Sequence, residues 1–132
     1  MRNMEGAATG KPLGLSVLLV EDHVDSARAL ARLLQSMGHQ VQTAHTLGDA
    51  NKLATNGQYQ LLISDLKLPD GSGLDLIKKM RASTPTLKAI AISGFSHATD
   101  LQACKDAGFD THVTKPVDFI QFRAVVETTL RS

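Results

Sequence analysis

The sequence predicts an α/β fold in which helices cover both faces of a parallel sheet built from five strand–helix pairs. Short apolar runs alternate along the chain with longer segments whose apolar residues recur at helical spacing. The runs contain few polar residues, which is typical of strands buried on both faces of a parallel sheet. Because connections between parallel strands are almost always right-handed crossovers, we expect a doubly wound (βα)5 sandwich.

The predicted elements follow one another without a break from residue 15 onward. Strands are predicted at residues 15–20, 40–44, 61–64, 87–92 and 111–114, and helices at 24–37, 47–56, 72–81, 98–107 and 117–131. The first helix carries one stripe of alanine and leucine side chains, as expected for a helix packed on a sheet. Gly38, Gly57 and Gly108 follow three of the helices, and we expect each to take a left-handed conformation.

Length and charge bound the organisation of the chain. Its 132 residues suit one domain, which we place at residues 15–132. Residues 1–14 are rich in glycine, alanine and small polar residues, so we expect a flexible lead or linker there. Fourteen basic and thirteen acidic residues give a net charge of +1. This charge gives no reason to expect a nucleic acid or a membrane as the partner of this domain.

Cysteine usage and hydropathy predict a reducing, cytoplasmic setting. Cys104 is the single cysteine, so an intrachain disulfide is excluded, and no zinc-type spacing of cysteine or histidine surrounds it. No apolar stretch of the sequence reaches the roughly 18 residues that a membrane-spanning helix needs. A longer parent protein could still carry a membrane anchor.

Polar side chains occur where four of the predicted strands end. Glu21 and Asp22 follow the first strand, Asp65 the third, Ser93 the fourth and Lys115 the fifth. Ligands of open parallel sheets bind in the crevice beyond the carboxyl ends of the strands, so these side chains are predicted to lie together. Each acid taken singly would be interpreted as an ordinary cap of the next helix. Their joint placement at separate strand ends favours a functional site.

This pattern resembles the receiver domain of two-component response regulators over residues 15–131. The resemblance rests on four motifs at four strand ends, which are Val20-Glu21-Asp22, Ser64-Asp65-Leu66-Lys67-Leu68-Pro69-Asp70-Gly71-Ser72-Gly73, Ser93-Gly94 and Lys115-Pro116. It implies a flavodoxin-like fold in which the five strands have the order 2-1-3-4-5.

The acids of this constellation predict a metal site. Three carboxylates in one crevice repel one another unless a cation neutralises them, and Mg2+ prefers such oxygen ligands. By resemblance, Asp22 and Asp65 contribute oxygens directly and Lys67 contributes its backbone carbonyl. Glu21 acts through water or as a closely placed acid. The resemblance therefore implies Mg2+ as the cofactor.

The resemblance also implies roles in phosphoryl transfer. Asp65 is the nucleophile and becomes an aspartyl phosphate. Ser93 and Lys115 bind phosphoryl oxygens, and Ser93 moves toward them as part of a switch. Pro116 follows a cis peptide bond. His112 stands where the family has an aromatic switch residue, so it is either the switch here or a half-exposed strand histidine.

The partners implied are a sensor histidine kinase or a histidine phosphotransfer protein as phosphoryl donor. The output surface, for a homodimer or an output partner, is the fourth helix, fifth strand and fifth helix. The segments around Ser93 and Lys115 look most like receivers of hybrid sensor histidine kinases, and a stand-alone regulator is the alternative. Lys67 and Phe95 hold loop positions that influence the lifetime of the phosphorylated state in the family, unless both side chains point to solvent.

Two other functions compete with this interpretation. A Mg2+-dependent phosphohydrolase also uses an aspartate nucleophile at a strand end, but it needs a second aspartate two residues later, where this chain has Lys67. A pseudo-receiver that only binds partners is disfavoured because no member of the constellation is missing. We therefore expect a phosphoacceptor signalling domain rather than an enzyme with a free substrate.

Overall fold

The computed structural model describes residues 14–94 and 98–131 and confirms the predicted alternation of strands and helices. The strands are β1 (Ser16–Val20), β2 (Gln40–Ala44), β3 (Leu61–Asp65), β4 (Lys67–Leu68), β5 (Gly71–Ser72), β6 (Lys88–Ser93) and β7 (Thr111–Thr114). The helices are α1 (Val24–Ser36), α2 (Leu47–Asn56), α3 (Gly73–Ser83), α4 (Ala98–Ala107) and α5 (Phe119–Arg131). The lead predicted at residues 1–14 lies outside the described residues, apart from Gly14.

The five long strands form one parallel sheet in the order β2-β1-β3-β6-β7. This is the predicted order 2-1-3-4-5, because β4 and β5 are two-residue strands that pair only with each other in the β3–α3 loop. The strand order reverses direction at β1 and β3, which are neighbours in the middle of the sheet. Within the described ranges, no helix is long and apolar enough to cross a membrane.

Alternate side chains of the central strands fill two separate cores. Leu18 and Leu62 pack with residues of α2, α3 and α4, whereas Leu19 and Ile63 pack with residues of α1 and α5. All four are fully buried. The two-residue period of a strand thus places three helices on one face of the sheet and two on the other.

The expectation that every strand is buried on both faces is wrong for both edge strands; in β7 only Val113 is buried, and β2 departs from it further. Gln40, Gln42 and Thr43 are exposed there, and only Ala44 is buried. β2 is an edge strand, so its side chains are covered less completely than those of the central strands.

The left-handed conformation predicted for three glycines occurs at two of them. Gly38 has a φ of 97° and Gly108 a φ of 119°. The prediction is wrong for Gly57, whose φ of −139° is extended backbone that any residue adopts. A Cβ atom at Gly57 would lie 3.2 Å from the ring of Tyr59, so this glycine serves a close approach rather than an unusual backbone angle.

Side-chain caps set where α3 and α5 begin. Asp118 Oδ1 accepts hydrogen bonds from the backbone N–H of Ile120 at 2.8 Å and of Gln121 at 3.1 Å. These bonds satisfy amides of the first turn, so α5 begins at Phe119 and not at residue 117. Ser72 caps α3, because its Oγ accepts a hydrogen bond from the backbone N–H of Leu74 at 3.0 Å.

Arg81 fastens the end of the sheet opposite the carboxyl ends of the strands. Its guanidinium donates to the carbonyl of Leu87 at 2.6 Å and to the carbonyl of Gly108, and lies 3.4 Å from the Asp110 carboxylate. Asp110 in turn accepts from the backbone N–H of Ala89 at 2.7 Å. The end of α3, the start of β6 and the α4–β7 loop are therefore held together by one side chain.

Gly73 begins α3 directly against the end of β3. A Cβ atom there would lie 2.3 Å from the backbone oxygen of Asp65 and 2.9 Å from Ser64 Oγ. Ser64 Oγ donates to the same Asp65 carbonyl at 2.8 Å. The lack of a side chain at Gly73 thus allows the helix to start beside the strand that carries Asp65.

Gly73→Ala should lower the free energy of unfolding by about 1–3 kcal/mol, because the Asp65 backbone cannot move aside to admit the methyl group. Gly94→Ala is the matched control, since no atom of the described residues, apart from its chain neighbours, lies within 4 Å of a Cβ built there, and its stability should stay unchanged. Urea denaturation compares the variants. An equal loss in both would contradict the role assigned to Gly73.

Candidate functional site

The polar residues singled out in the sequence lie at one edge of the sheet. Strand register keeps the strand ends level, since Val20 of β1 pairs with Ser64 of β3 and Ser93 of β6 pairs with Thr114 of β7. Glu21, which follows Val20, and Asp65, which follows Ser64 and ends β3, are therefore side by side at this edge.

A backbone hydrogen bond beyond the strand end holds the first loop residue at three of these ends. The bonds run from Glu21 N to Ala44 O at 3.0 Å, from Leu66 N to Ile92 O at 3.1 Å and from Lys115 N to Ser93 O at 2.8 Å. Each acceptor is the last or next-to-last carbonyl of the neighbouring strand. The main chain of the site is thus positioned by the sheet itself.

Lys115 forms ion pairs with two buried carboxylates. Its Nζ lies 2.8 Å from Asp65 Oδ2 and 3.3 Å from Glu21 Oε1. Glu21 is 1% exposed and Asp65 is 4% exposed, so water neutralises neither charge effectively. The peptide bond from Lys115 to Pro116 is cis.

The carboxylates of Glu21, Asp22 and Asp65 converge beside this lysine. One oxygen from each lies within 4.8 Å of the other two. Asp22 is exposed while the other two acids are buried, so the cluster opens to solvent on one side. There it borders a crevice of about 710 Å³ whose lining includes Asp22, His23 and Lys115. Closely spaced oxygen donors with excess negative charge suit a hard divalent cation.

Burial and like charge control protonation in the cluster. Burial, with a hydrogen bond to Glu21 and the charge of that acid, raises the pKa of Asp65 to about 8 against the opposing effect of Lys115. Burial also acts to raise the pKa of Asp22, but hydrogen bonds with Glu21 and Asp65 and the Lys115 charge outweigh it and lower that pKa. Burial acts to lower the pKa of Lys115, and its acidic partners raise it overall. Burial and the neighbouring carboxylate of Glu21 therefore favour the protonated form of Asp65 in the cation-free cluster.

The other predicted residues occupy separate positions around this cluster. Ser93 is buried at the end of β6. Lys67 is exposed and begins β4, two residues beyond Asp65. His112 is half-buried in β7 and lines a groove of about 440 Å³ together with residues of α4. Phe95 lies outside the described residues.

Two histidines that the sequence interpretation left out of the site hold Glu21 in place. His45 Nδ1 lies 2.9 Å from the Glu21 backbone oxygen, and the backbone N–H of His23 donates to Glu21 Oε2 at 3.0 Å. One contact fixes the main chain and the other the carboxylate. His45 directly follows the end of β2, so the rule that polar residues gather at strand ends could have found it.

The sequence was compared with protein families and with known proteins, and one family matches most of its length. The response regulator receiver domain family matches residues 17–127. The chain is 35% identical over 115 residues to the response regulator protein PilR of Pseudomonas aeruginosa, and the aligned part is 86% of this chain and 26% of PilR. The chain thus spans about a quarter of the length of that relative.

Solved structures have the same architecture. A CheY-like response regulator receiver domain protein of Methanospirillum hungatei is 26% identical, with a TM-score of 0.84 and coverage of 91% of this chain and 95% of that chain. The response regulator TrrA of Thermotoga maritima, solved in complex with Mg2+-BeF, is 27% identical, with a TM-score of 0.76 and coverage of 86% and 97%. The likeness extends over nearly the whole length of both structures.

Asp65→Asn should stabilise the cation-free protein by an amount that grows with pH. The folded-state pKa of Asp65, about 8, lies above the ordinary value of 3.8. The folded protein therefore holds a proton that the unfolded chain releases, and stability is lost as the pH rises toward 8. The asparagine side chain does not ionise, so the variant avoids this loss of stability. The free energy of unfolding of Asp65→Asn should therefore exceed that of the wild type by about 1–3 kcal/mol more near pH 9 than near pH 5.

Glu127→Gln is the control for this titration, because Glu127 is half-exposed and pairs with Arg123 at 3.8 Å on the surface of α5. Its difference from the wild type should depend little on pH. Thermal unfolding in EDTA across this pH range measures both variants. A pH-independent difference for Asp65→Asn would show that Asp65 carries no raised pKa.

Proposed function

Because this chain belongs to the response regulator receiver domain family, we propose that it works by accepting a phosphoryl group on Asp65. Domains of this family act in two-component signalling and interact with histidine kinases or phosphotransfer proteins. The observation that carries the proposal is the 2.8 Å ion pair between buried Asp65 and Lys115, beside the carboxylates of Glu21 and Asp22.

Asp65 provides the nucleophile of the proposed transfer. One carboxylate oxygen forms a bond to phosphorus while the bond from phosphorus to the imidazole nitrogen of a phosphohistidine breaks, and the released imidazole takes up a proton. Lys115 lies at contact distance from the attacking carboxylate, and its flexible stem lets the ammonium follow the charge onto the phosphoryl oxygens. Ser93 supplies a hydroxyl donor for another of these oxygens.

The acidic cluster fits Mg2+, the ion that receiver domains bind at an acidic site. Asp22 and Asp65 would hold the ion through carboxylate oxygens and Lys67 through its backbone carbonyl, with Glu21 adjacent or acting through water. When bound, Mg2+ favours the ionised form of Asp65 and neutralises charge on the transferring oxygens. Two observations support this fit, namely the raised pKa of Asp65 and the Mg2+-BeF complex of the similar TrrA.

The output surface in this proposal is the face formed by α4, β7 and α5. β7 is an edge strand, and grooves of about 440 and 460 Å³ flank it on the α4 and α5 sides. Ser93 pairs with Thr114 across β6 and β7. A shift of Ser93 toward a phosphoryl group would therefore act on the strand that carries His112, which supports a switch role for that histidine. A homodimer or an output partner would respond to this face.

A phosphohydrolase with free substrates is the competing function. Receiver domains are signalling domains, and the position two residues beyond Asp65 is occupied by the exposed Lys67. A lysine ammonium is a far weaker acid than the carboxyl group that a phosphohydrolase uses there to protonate its leaving group. We therefore propose one transfer onto Asp65 and no rapid turnover of phosphate esters.

Incubation with Mg2+ and acetyl phosphate, followed by intact-mass measurement, tests the proposal. The wild type should gain the mass of one phosphoryl group, whereas Asp65→Asn should gain none and EDTA should prevent the gain. Glu127→Gln removes an exposed acid of α5 and should be phosphorylated like the wild type. An adduct retained in Asp65→Asn, or missing from the wild type, would overturn the assignment. Catalytic release of phosphate from p-nitrophenyl phosphate would favour the phosphohydrolase instead.

A further inference from the structure

The loop between β3 and α3 is a small hairpin whose tip is fastened to a different helix. Its arms are β4 and β5, which pair Lys67 with Ser72 and Leu68 with Gly71. At the tip, Asp70 Oδ1 accepts from the backbone N–H of Leu47 at 2.7 Å and Oδ2 accepts from that of Gly48 at 2.9 Å. One carboxylate thus joins the hairpin to the first turn of α2.

The contact uses backbone groups that α2 leaves free. The first amides of a helix have no partner within the helix, and they attract negative charge. Thr46 Oγ1 already accepts from Asp49 N at 3.1 Å, as the N-cap of α2. Asp70 takes the two amides that precede Asp49, and the bonds from Gly48 and Leu47 hold its pKa below the ordinary value. Asp70 is therefore ionised, and the tether is charge-assisted, at neutral pH.

Packing contacts also hold the hairpin against α2. A Cβ atom at Gly71 would lie 2.4 Å from Leu47 Cδ2, so the hairpin backbone touches the side chain that begins α2. Leu68 is buried and belongs to the core that α2 and α3 share. At the base of the hairpin, Leu66 N donates to Ile92 O at 3.1 Å, which ties this end to β6. The loop is thereby held at both its base and its tip.

We propose that Asp70 is a positioning residue for the cation site, because its bonds to α2 fix the hairpin and with it the backbone carbonyl of Lys67. This inference rests on the proposed function, in which that carbonyl is a Mg2+ ligand. Mg2+ demands near-ideal octahedral geometry, so a hairpin free to swing about Leu66 would offer its carbonyl in the right place only part of the time. Asp70 is not one of the three acids whose oxygens converge, so its effect on the cation would be indirect.

Titration of 15N-labelled protein with MgCl2, followed by amide chemical shifts, measures the affinity without phosphorylation. Asp70→Ala should raise the Kd for Mg2+ about tenfold, as loss of a group that orients a metal ligand does. Hydrogen exchange of the amides at residues 67, 68 and 70–72 should become faster in the same variant. Asp70→Asn, which keeps one acceptor oxygen but turns an amide N–H2 toward a backbone donor, should raise the Kd less.

Thr46→Ala is the matched control, because it weakens the N-terminus of α2 through the other cap and leaves the hairpin tether in place. It should lower the melting temperature as Asp70→Ala does, yet leave the Kd for Mg2+ unchanged. Asp49→Asn removes a nearby exposed charge and should also leave the Kd unchanged, which separates positioning from the general attraction of cations to acids.

The outcomes distinguish a failure of the role proposed for Asp70 from a failure of the proposed function. A wild type that binds Mg2+ and an Asp70→Ala variant that binds it equally well would overturn the inference and leave the proposed function standing. An equal rise in Kd for Thr46→Ala or Asp49→Asn would overturn it as well, because helix stability or charge would then account for the effect. A wild type that shows no Mg2+ binding at the acids would instead overturn the proposed function and the inference with it.

Discussion

The approach of Asp65 and Glu21 to Lys115 is the interaction on which the rest of the site depends. One ammonium group is placed against two buried carboxylates, and Asp22 adds a third at the rim. Charge in this cluster is therefore unbalanced, and burial, which is the larger cause, acts together with the neighbouring Glu21 to raise the pKa of Asp65. An ion pair with a purely structural role would have as many positive as negative groups. An unbalanced one responds to any positive charge that enters, which is the property expected of a site that binds and reacts.

The sheet explains why the reactive groups occupy these positions. Within β1 and β3 successive side chains alternate between the two cores, so each is committed to packing. The first side chains that belong to neither apolar core beyond the paired Val20 and Ser64 are Glu21 and Asp65, which are buried at the edge of the sheet. Parallel pairing brings such ends to one edge, and backbone bonds such as Lys115 N to Ser93 O keep them there. Packing of the strands thus determines where the reactive side chains lie, and the charges around them then determine their protonation.

Sequence patterns predicted what depends on local order and missed what depends on remote contacts. The strands, the helices and the acids at the strand ends could be predicted because each is marked by its own residues. The exposure of β2 was missed, although its polar Gln40, Gln42 and Thr43 and its edge place in the expected strand order both indicate it. The bonds of Asp70 to Leu47 and Gly48 could not be predicted, because they join a loop to a helix that only the completed fold brings together. The prediction of a positive φ at Gly57 was wrong because a glycine after a helix can also be needed for close packing.

The two ends of the sheet are both held by charged side chains, but the proposed phosphorylation concerns only one of them. At one end the Arg81 guanidinium binds the carbonyls of Leu87 and Gly108 and pairs with Asp110, and none of these groups takes part in the proposed transfer. At the other end the loops are joined by charges, through Lys115 to the acids and through Asp70 to α2. A new negative charge on Asp65 would redistribute the second set of contacts and leave the first intact. In the proposed mechanism, loop rearrangement would therefore be confined to the reactive edge, while the contacts of Arg81 keep the opposite edge of the sheet and its helices in place.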